Sequence, residues 1–224
     1  MSDHMTPSPH TSEPHIVNRL LHINASPRGE ASASLTLASA FLAAYRDRAR
    51  SVEIDALSLF EDPLPEFGTA ASAAKIAAFS GQTPEGEAAL AWERARSVFD
   101  RFASADAYLF NVPMWNAGVP YVLKQWIDIV TQPGWAFGFH PTDGYTGLLS
   151  GKKAVVIYTS GVYAPGVPLS FGADFHSTFF NDWLRFVGIT DITEVRFAAN
   201  AMTATYEDDL ERVRRQALAA AETF

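Results

Sequence analysis

Between Asn24 and Ser34 the chain reads Asn-Ala-Ser-Pro-Arg-Gly-Glu-Ala-Ser-Ala-Ser, directly ahead of a helical pattern. Hydroxyls at Ser26, Ser32 and Ser34, with Gly29 permitting close backbone approach, face a helix N-terminus whose free N–H groups favour a phosphate. The same serines also serve as ordinary helix caps, and Pro27-Arg28-Gly29 as an ordinary turn. Capping and anion binding use the same groups, so both readings stand. With a single glycine, the stretch is not a G-x-G-x-x-G dinucleotide fingerprint.

A second stretch, Val112-Pro113-Met114-Trp115-Asn116-Ala117-Gly118-Val119-Pro120, offers backbone N–H groups and an amide that both donates and accepts. Those groups suit the polar edge of a flat heterocycle; the bland alternative is a hydrophobic turn pinned by two prolines. A third stretch, Tyr158-Thr159-Ser160-Gly161-Val162-Tyr163-Ala164-Pro165-Gly166, lies in the loop-rich part of the chain. Eight of the fourteen glycines fall between 131 and 174, which predicts either a substrate pocket with a lid or plain long connectors.

Other chemistry is excluded by spacing. Ser150-Gly151-Lys152-Lys153 lacks the glycine spacing and the Ser/Thr of a P-loop, and it precedes a strand instead of following one. There is no G-x-S-x-G elbow for a serine hydrolase. No H-E-x-x-H or Asp/His cluster argues for a metal, and none is expected. His4, His10 and His15 sit in or beside a polar tail and read as solvated; His22, within an apolar run, reads as a satisfied core histidine.

The elements that position these stretches follow from periodicity. Short apolar runs at 16–23, 52–57, 107–112, 153–159 and 192–198 predict five strands. Helical spacing predicts helices over 32–50, 84–103, 119–130, 175–187 and 206–224, with a further short helix inside 58–82. Strand–helix alternation implies right-handed crossovers and an α/β fold, a five-stranded parallel sheet with helices on both faces. In such sheets ligands bind beyond the carboxyl ends of the strands, where the strand order switches. All three stretches begin there.

Composition narrows the function further. The 224 residues carry a net charge of −8 and only four lysines, which argues against a nucleic-acid partner. Without cysteine there is no thiol nucleophile, dithiol pair or Cys-ligated metal, so redox chemistry requires a bound cofactor. No apolar run reaches the roughly 18–20 residues of a membrane span, and no signal core is present, so the expected location is the cytoplasm. Residues 1–14 are expected to be a disordered or vector-derived tail, and 15–224 a single domain.

Taken in order, these motifs resemble the FMN-dependent NADH-azoreductase family, NADH:quinone oxidoreductases of flavodoxin-like fold. The matching stretches are Ser-Pro-Arg-Gly with the later Ser-x-Ser, Pro113-Met114-Trp115-Asn116, and Leu123-Lys124-Gln125-Trp126-Ile127-Asp128. Further on come Pro133-Gly134-Trp135-Ala136-Phe137-Gly138-Phe139, Gly151-Lys152-Lys153-Ala154 and Phe186-Val187-Gly188-Ile189-Thr190-Asp191. The resemblance implies a doubly wound flavodoxin-like sheet binding FMN at a homodimer interface. By position, Ser26, Ser32, Ala33 and Ser34 would hold the phosphate. Pro113, Met114, Trp115, Asn116 and Ala117 would line the isoalloxazine, and Ser160, Gly161, Val162 and Tyr163 would close its other side. Trp115, Trp135, Phe137 and Phe139 are the candidate walls for flat acceptors.

Two departures from the family pattern matter. Gly161-Val162-Tyr163 stands where an Arg-Gly-Gly stretch is usual, and Trp115 replaces a tyrosine. The activity implied is ping-pong electron transfer from NADH or NADPH to quinones and aromatic azo compounds, with the flavin carrying the chemistry and no catalytic side chain required. The rival readings are a flavin reductase dedicated to one metabolite, a flavodoxin-type electron carrier, and a flavin-free binding module.

Overall fold

A computed structural model describes residues 17–161, 163, 166–199 and 204–224. The tail over 1–14, and Val162 among the candidate site residues, lie outside the described residues. The strands are β1 (Arg19–Asn24), β2 (Glu53–Ser58), β3 (Ala107–Pro113), β4 (Phe137–His140), β5 (Gly144–Gly147), β6 (Lys153–Thr159) and β7 (Asp191–Phe197). The helices are α1 (Ala33–Arg48), α2 (Thr69–Phe79), α3 (Gly86–Ala103), α4 (Tyr121–Val130), α5 (Ser177–Phe186) and α6 (Tyr206–Thr223).

Five strands form one sheet in the order β2-β1-β3-β6-β7, and every neighbouring pair is parallel. This is the expected doubly wound architecture. The chain goes out from β1 to β2, then returns past β1 to β3, so the switch in strand order lies between β1 and β3.

Side-chain alternation along the strands splits the core into two layers. Leu20 of β1 and Leu109 of β3 pack with Leu37 and Phe41 of α1 and Val213 and Ala217 of α6. Leu21 and Ile23 of β1 and Phe110 of β3 face the other way, toward Phe102 of α3, Trp126 of α4 and Phe180 of α5. Because both faces are covered, β3 is buried from Ala107 to Val112, which is why it reads as an unbroken apolar run. Trp126 anchors the second layer, with its ring 4.9 Å from Phe102 and 5.6 Å from Trp183.

One expectation needs correction. The stretch after α4 is not only connectors: β4 and β5 pair antiparallel as a hairpin, Phe137 opposite Gly147 and His140 opposite Gly144. Phe137 and Phe139 alternate, but two four-residue strands interrupted by Gly138, Gly144 and Gly147 are too short and too glycine-rich to give a strand signal. The hairpin packs on the far end of α5, where Phe137 lies 5.1 Å from Phe186. It therefore sits at the amino edge of the sheet, just ahead of β6.

Candidate functional site

Three loops converge beyond the carboxyl ends of β1, β3 and β6 around a cleft of about 260 Å³. Backbone hydrogen bonds lace them together. Ala25 N–H donates to the Asn111 carbonyl (3.1 Å), Met114 N–H to Thr159 (2.7 Å), and Ser160 N–H to Phe197 (3.0 Å). The parallel ladder is thus carried one residue past each strand, which fixes the spacing of the loops.

The first wall is the start of α1. Ser32 is the cap residue: its hydroxyl accepts from Leu35 N–H at 3.2 Å, and its carbonyl accepts from Thr36 N–H at 2.9 Å. The helix itself supplies no acceptor for the N–H groups of Ala33 and Ser34. Ser26, Ser32 and Ala33 line the cleft, and Arg28 lies on its rim. Ser34 is placed differently: it is buried behind Ser32, its hydroxyl 3.0 Å from the Ser32 hydroxyl and 3.3 Å from the Asn111 amide. Capping and an anion-ready helix end therefore coexist here.

The second wall is a two-residue turn. Trp115 and Gly118 exchange both backbone hydrogen bonds at 2.9 Å, with Asn116 at φ 48° and Ala117 at φ 66° between them. Two successive left-handed residues define a type I′ turn, a conformation asparagine tolerates and alanine resists. Pro113, Met114 and Trp115 line the cleft, while Asn116 lies exposed at the tip. Trp115 is braced by Phe60, which follows β2, and by Tyr121, which opens α4, at centroid distances of 5.8 and 6.0 Å.

The third wall holds Thr159, Ser160 and Gly161, closed from behind by Phe197, Ala199 and Tyr206. The Ser160 hydroxyl donates to the Tyr163 carbonyl. The Tyr163 ring lies against Gly172 so closely that a Cβ there would fall 1.9 Å from a ring carbon. Tyr163 and Ser160 also border a smaller cavity of about 30 Å³, shared with Met114, Asp174 and His176.

Behind this wall is a charged network that the sequence reading missed. Asp174 accepts from the backbone N–H groups of His176 (3.0 Å) and Ser177 (2.8 Å) at the start of α5. Arg196 of β7 donates to the Ser177 hydroxyl at 2.8 Å and pairs with Asp174 and Glu194. Its guanidinium stands 4.9 Å over the Tyr158 ring, and the His176 ring meets Tyr158 edge-on, also at 4.9 Å. Burial pushes the His176 imidazole down to about 4, so it is neutral at neutral pH.

Trp135, Phe137 and Phe139 are not brought to this cleft within one chain. Trp135 packs on α3, 4.3 Å from Trp92 and 5.5 Å from Phe99, with the Arg96 guanidinium 5.1 Å from its ring. Phe137 is buried against Phe186, and Phe139 is exposed beside Tyr145. The cleft lies at the carboxyl edge and the hairpin at the amino edge of a sheet whose seven-residue strands span about 20 Å. Of the cleft residues not anticipated, Phe197 and Ala199 follow from applying the strand-end rule to β7. Tyr206 carries no comparable signal.

An anion-ready helix end opens on a cleft at the switch point of this doubly wound α/β protein. The model of a family described as flavodoxin-like fold matches residues 18–222. An FMN-dependent NADH:quinone oxidoreductase of Ruegeria pomeroyi is 44% identical over 204 residues, covering 91% of this chain and 98% of that protein. One of Desulfotalea psychrophila is 39% identical over 180 residues, covering 80% and 84%. The crystal structure of an azoreductase from Bacillus anthracis superposes with a TM-score of 0.84 at 27% identity, covering 92% of this chain and all of that one. The structure of a Bacillus anthracis FMN-dependent NADH-azoreductase in complex with FMN gives 0.82 at 25% identity, covering 92% and 98%. The chain belongs to this family of FMN-dependent NADH:quinone oxidoreductases with a flavodoxin-like fold.

Proposed function

We propose that the protein is an FMN-dependent oxidoreductase passing electrons from NADH or NADPH to quinones and aromatic azo compounds. The observation that carries this reading is the joining, at one switch point, of a helix-end anion cradle to a cleft between the loops after β3 and β6. The donor set fits the group. Ser26, Ser32 and Ala33 line the cleft and would offer hydroxyls and an amide to a phosphate, with the Ser34 N–H of the same open helix end behind them. Overall charge opposes an anionic ligand at −8, so these local donors must supply the binding.

When bound, FMN supplies the electron-carrying chemistry. Pro113, Met114, Trp115, Asn116 and Ala117 would line one side of its ring system, and Ser160, Gly161 and Tyr163 the other. The turn carrying Asn116 and Ala117 is held by the paired Trp115–Gly118 bonds before the ligand arrives, so the N–H groups at its tip would favour developing negative charge without reorganising. Trp115, held by Phe60 and Tyr121, would form one wall for a flat acceptor.

The wider acceptor site calls for a second copy of the chain. Phe137 and Phe139 cannot reach the cleft of their own chain, but a partner's hairpin can overlie it. A groove of about 790 Å³ floored by Ile127 and Trp183 between α4 and α5, and the exposed rings of Phe139, Tyr145 and Phe179, support a homodimer. Trp135 then acts by bracing the hairpin base. We place this single 15–224 domain in the cytoplasm; among the described residues no helix is long and apolar enough to cross a membrane.

Steady-state oxidation of NADH or NADPH with menadione and with methyl red tests the reading. Bound FMN with turnover of both acceptors is expected. Bound FMN without turnover would instead favour an electron carrier.

A further inference from the structure

Beneath the cradle runs a buried chain of polar side chains: His22, Asn111, Ser34 and Ser32. We infer that Asn24 and His22, holding the two ends of the Asn111 amide, together fix through Ser34 the direction in which the Ser32 hydroxyl points its hydrogen, making the cradle a donor site selective for phosphate. The inference rests on the FMN reading for the identity of the anion.

Register brings the chain together. Asn24 and Asn111 pair across β1 and β3, and alternation puts both, with His22, on the face covered by α1. His22, Asn111, Ser32 and Ser34 are all buried. Buried polar groups of this kind are hydrogen-bonded, and a full accounting of donors and acceptors is possible.

The backbone N–H of Ser26 can only donate. It donates to Asn24 Oδ1 at 3.0 Å, which makes that atom an oxygen. Asn111 approaches the same oxygen at 2.7 Å, so Asn111 must present its NH₂ group there. The NH₂ group also reaches the Ser34 hydroxyl at 3.3 Å. Asn111 Oδ1 is thereby turned toward His22 Nε2, at 2.8 Å, and that nitrogen must carry a hydrogen. Burial lowers the His22 imidazole's proton affinity, so the ring is neutral and this is its single N–H.

The direction then propagates outward. Ser34 oxygen accepts from Asn111; its other partner among the described residues is the Ser32 hydroxyl at 3.0 Å, to which it gives its own hydrogen. Ser32 oxygen now accepts twice, from Ser34 and from Leu35 N–H at 3.2 Å. Both lone pairs are used, and the remaining Ser32 hydrogen faces the cleft that Ser32 lines. The opposite tautomer of His22 would reverse Asn111 and set its oxygen against Asn24 Oδ1. Satisfying a buried core histidine and polarising a phosphate site are thus one arrangement.

The test uses the full chain and two readouts. Long-range ¹⁵N–¹H imidazole spectra, with His22 assigned by its loss in His22→Gln, should show hydrogen on Nε2; hydrogen on Nδ1 alone would overturn the proposal. Titration of the apoprotein with FMN and with riboflavin, which lacks the phosphate, gives the second readout. His22→Leu should weaken FMN binding about tenfold and leave riboflavin binding unchanged. His22→Gln, whose amide also donates, should restore FMN affinity to within about twofold. Equal weakening of both ligands, or no change in either, would overturn the proposal. Wild-type protein binding neither flavin would overturn the FMN reading, and the His22 tautomer would still decide the relay.

Discussion

Gly147 of the hairpin lies directly against Gly188 of the turn after α5: a Cβ built on Gly147 would fall 2.2 Å from the Gly188 nitrogen. The Leu149 N–H donates to the Val187 carbonyl at 2.9 Å beside this contact. Backbone meets backbone here, so no side chain can swing away to make room. Gly147→Ala should cost about 1–3 kcal/mol of stability and loosen the hairpin. Thermal unfolding checks the first effect. If the hairpin completes the acceptor site of a second copy, KM for menadione should rise while bound FMN per chain stays unchanged.

The Trp115–Gly118 turn needs left-handed backbone at Asn116. Asn116→Val places a β-branched residue at φ 48° and should break the turn, reducing FMN affinity at least tenfold. Asn116→Gly keeps the turn and removes only the amide, so it should cost less. Fluorescence titration of the two apoproteins ranks them; equal losses would show that the turn conformation is not what matters.

Acid should destabilise the protein before its carboxylates titrate. His176 has a folded-state value of about 4 against an ordinary 6.5, and His22 is lowered too, both mainly by burial. Between those limits the unfolded chain binds more protons, so stability rises with pH there and is lost as pH falls from about 6.5 toward 4. For His176 alone the loss approaches roughly 3 kcal/mol. Urea unfolding at pH 7.5, 6, 5 and 4 measures it, and His176→Phe should flatten the slope. Asp55 and Asp174, held below the usual carboxylate range, keep their contribution across this window and lose it only at lower pH.

Asp55 of β2 ties two distant arginines to the sheet edge. Arg101 grips it with Nε at 3.1 Å and Nη2 at 2.7 Å, and Arg19 Nη2 reaches it at 2.7 Å. Asp55→Asn leaves two guanidinium groups facing each other with one shared partner fewer. A loss of about 1–3 kcal/mol in denaturant unfolding is expected, with the FMN cleft unaffected.

The sheet was legible because buried parallel strands are unbroken apolar runs, and 107–112 shows this most plainly. The loops after β1, β3 and β6 were legible because the strand-end rule depends on topology alone, not on side-chain detail. The hairpin was not, since four-residue strands interrupted by glycine are too short to give a strand signal. Trp135 looked like an acceptor wall because nothing local says that Trp92 and Phe99 of α3 come to lie against it. His22 could be read as buried and satisfied, but its partner Asn111 lies 89 residues away and is supplied only by register. The Asp174–His176–Arg196 network is hidden for the same reason, as it joins the start of α5 to β7.

The most direct test of the central claim is the absorbance spectrum of the purified protein, recorded anaerobically before and after NADH and then after menadione. A flavin spectrum from about one FMN per chain is expected, bleached by NADH or NADPH and restored by menadione. A protein that stays colourless after incubation with FMN, or whose bound FMN neither nicotinamide bleaches, would contradict it.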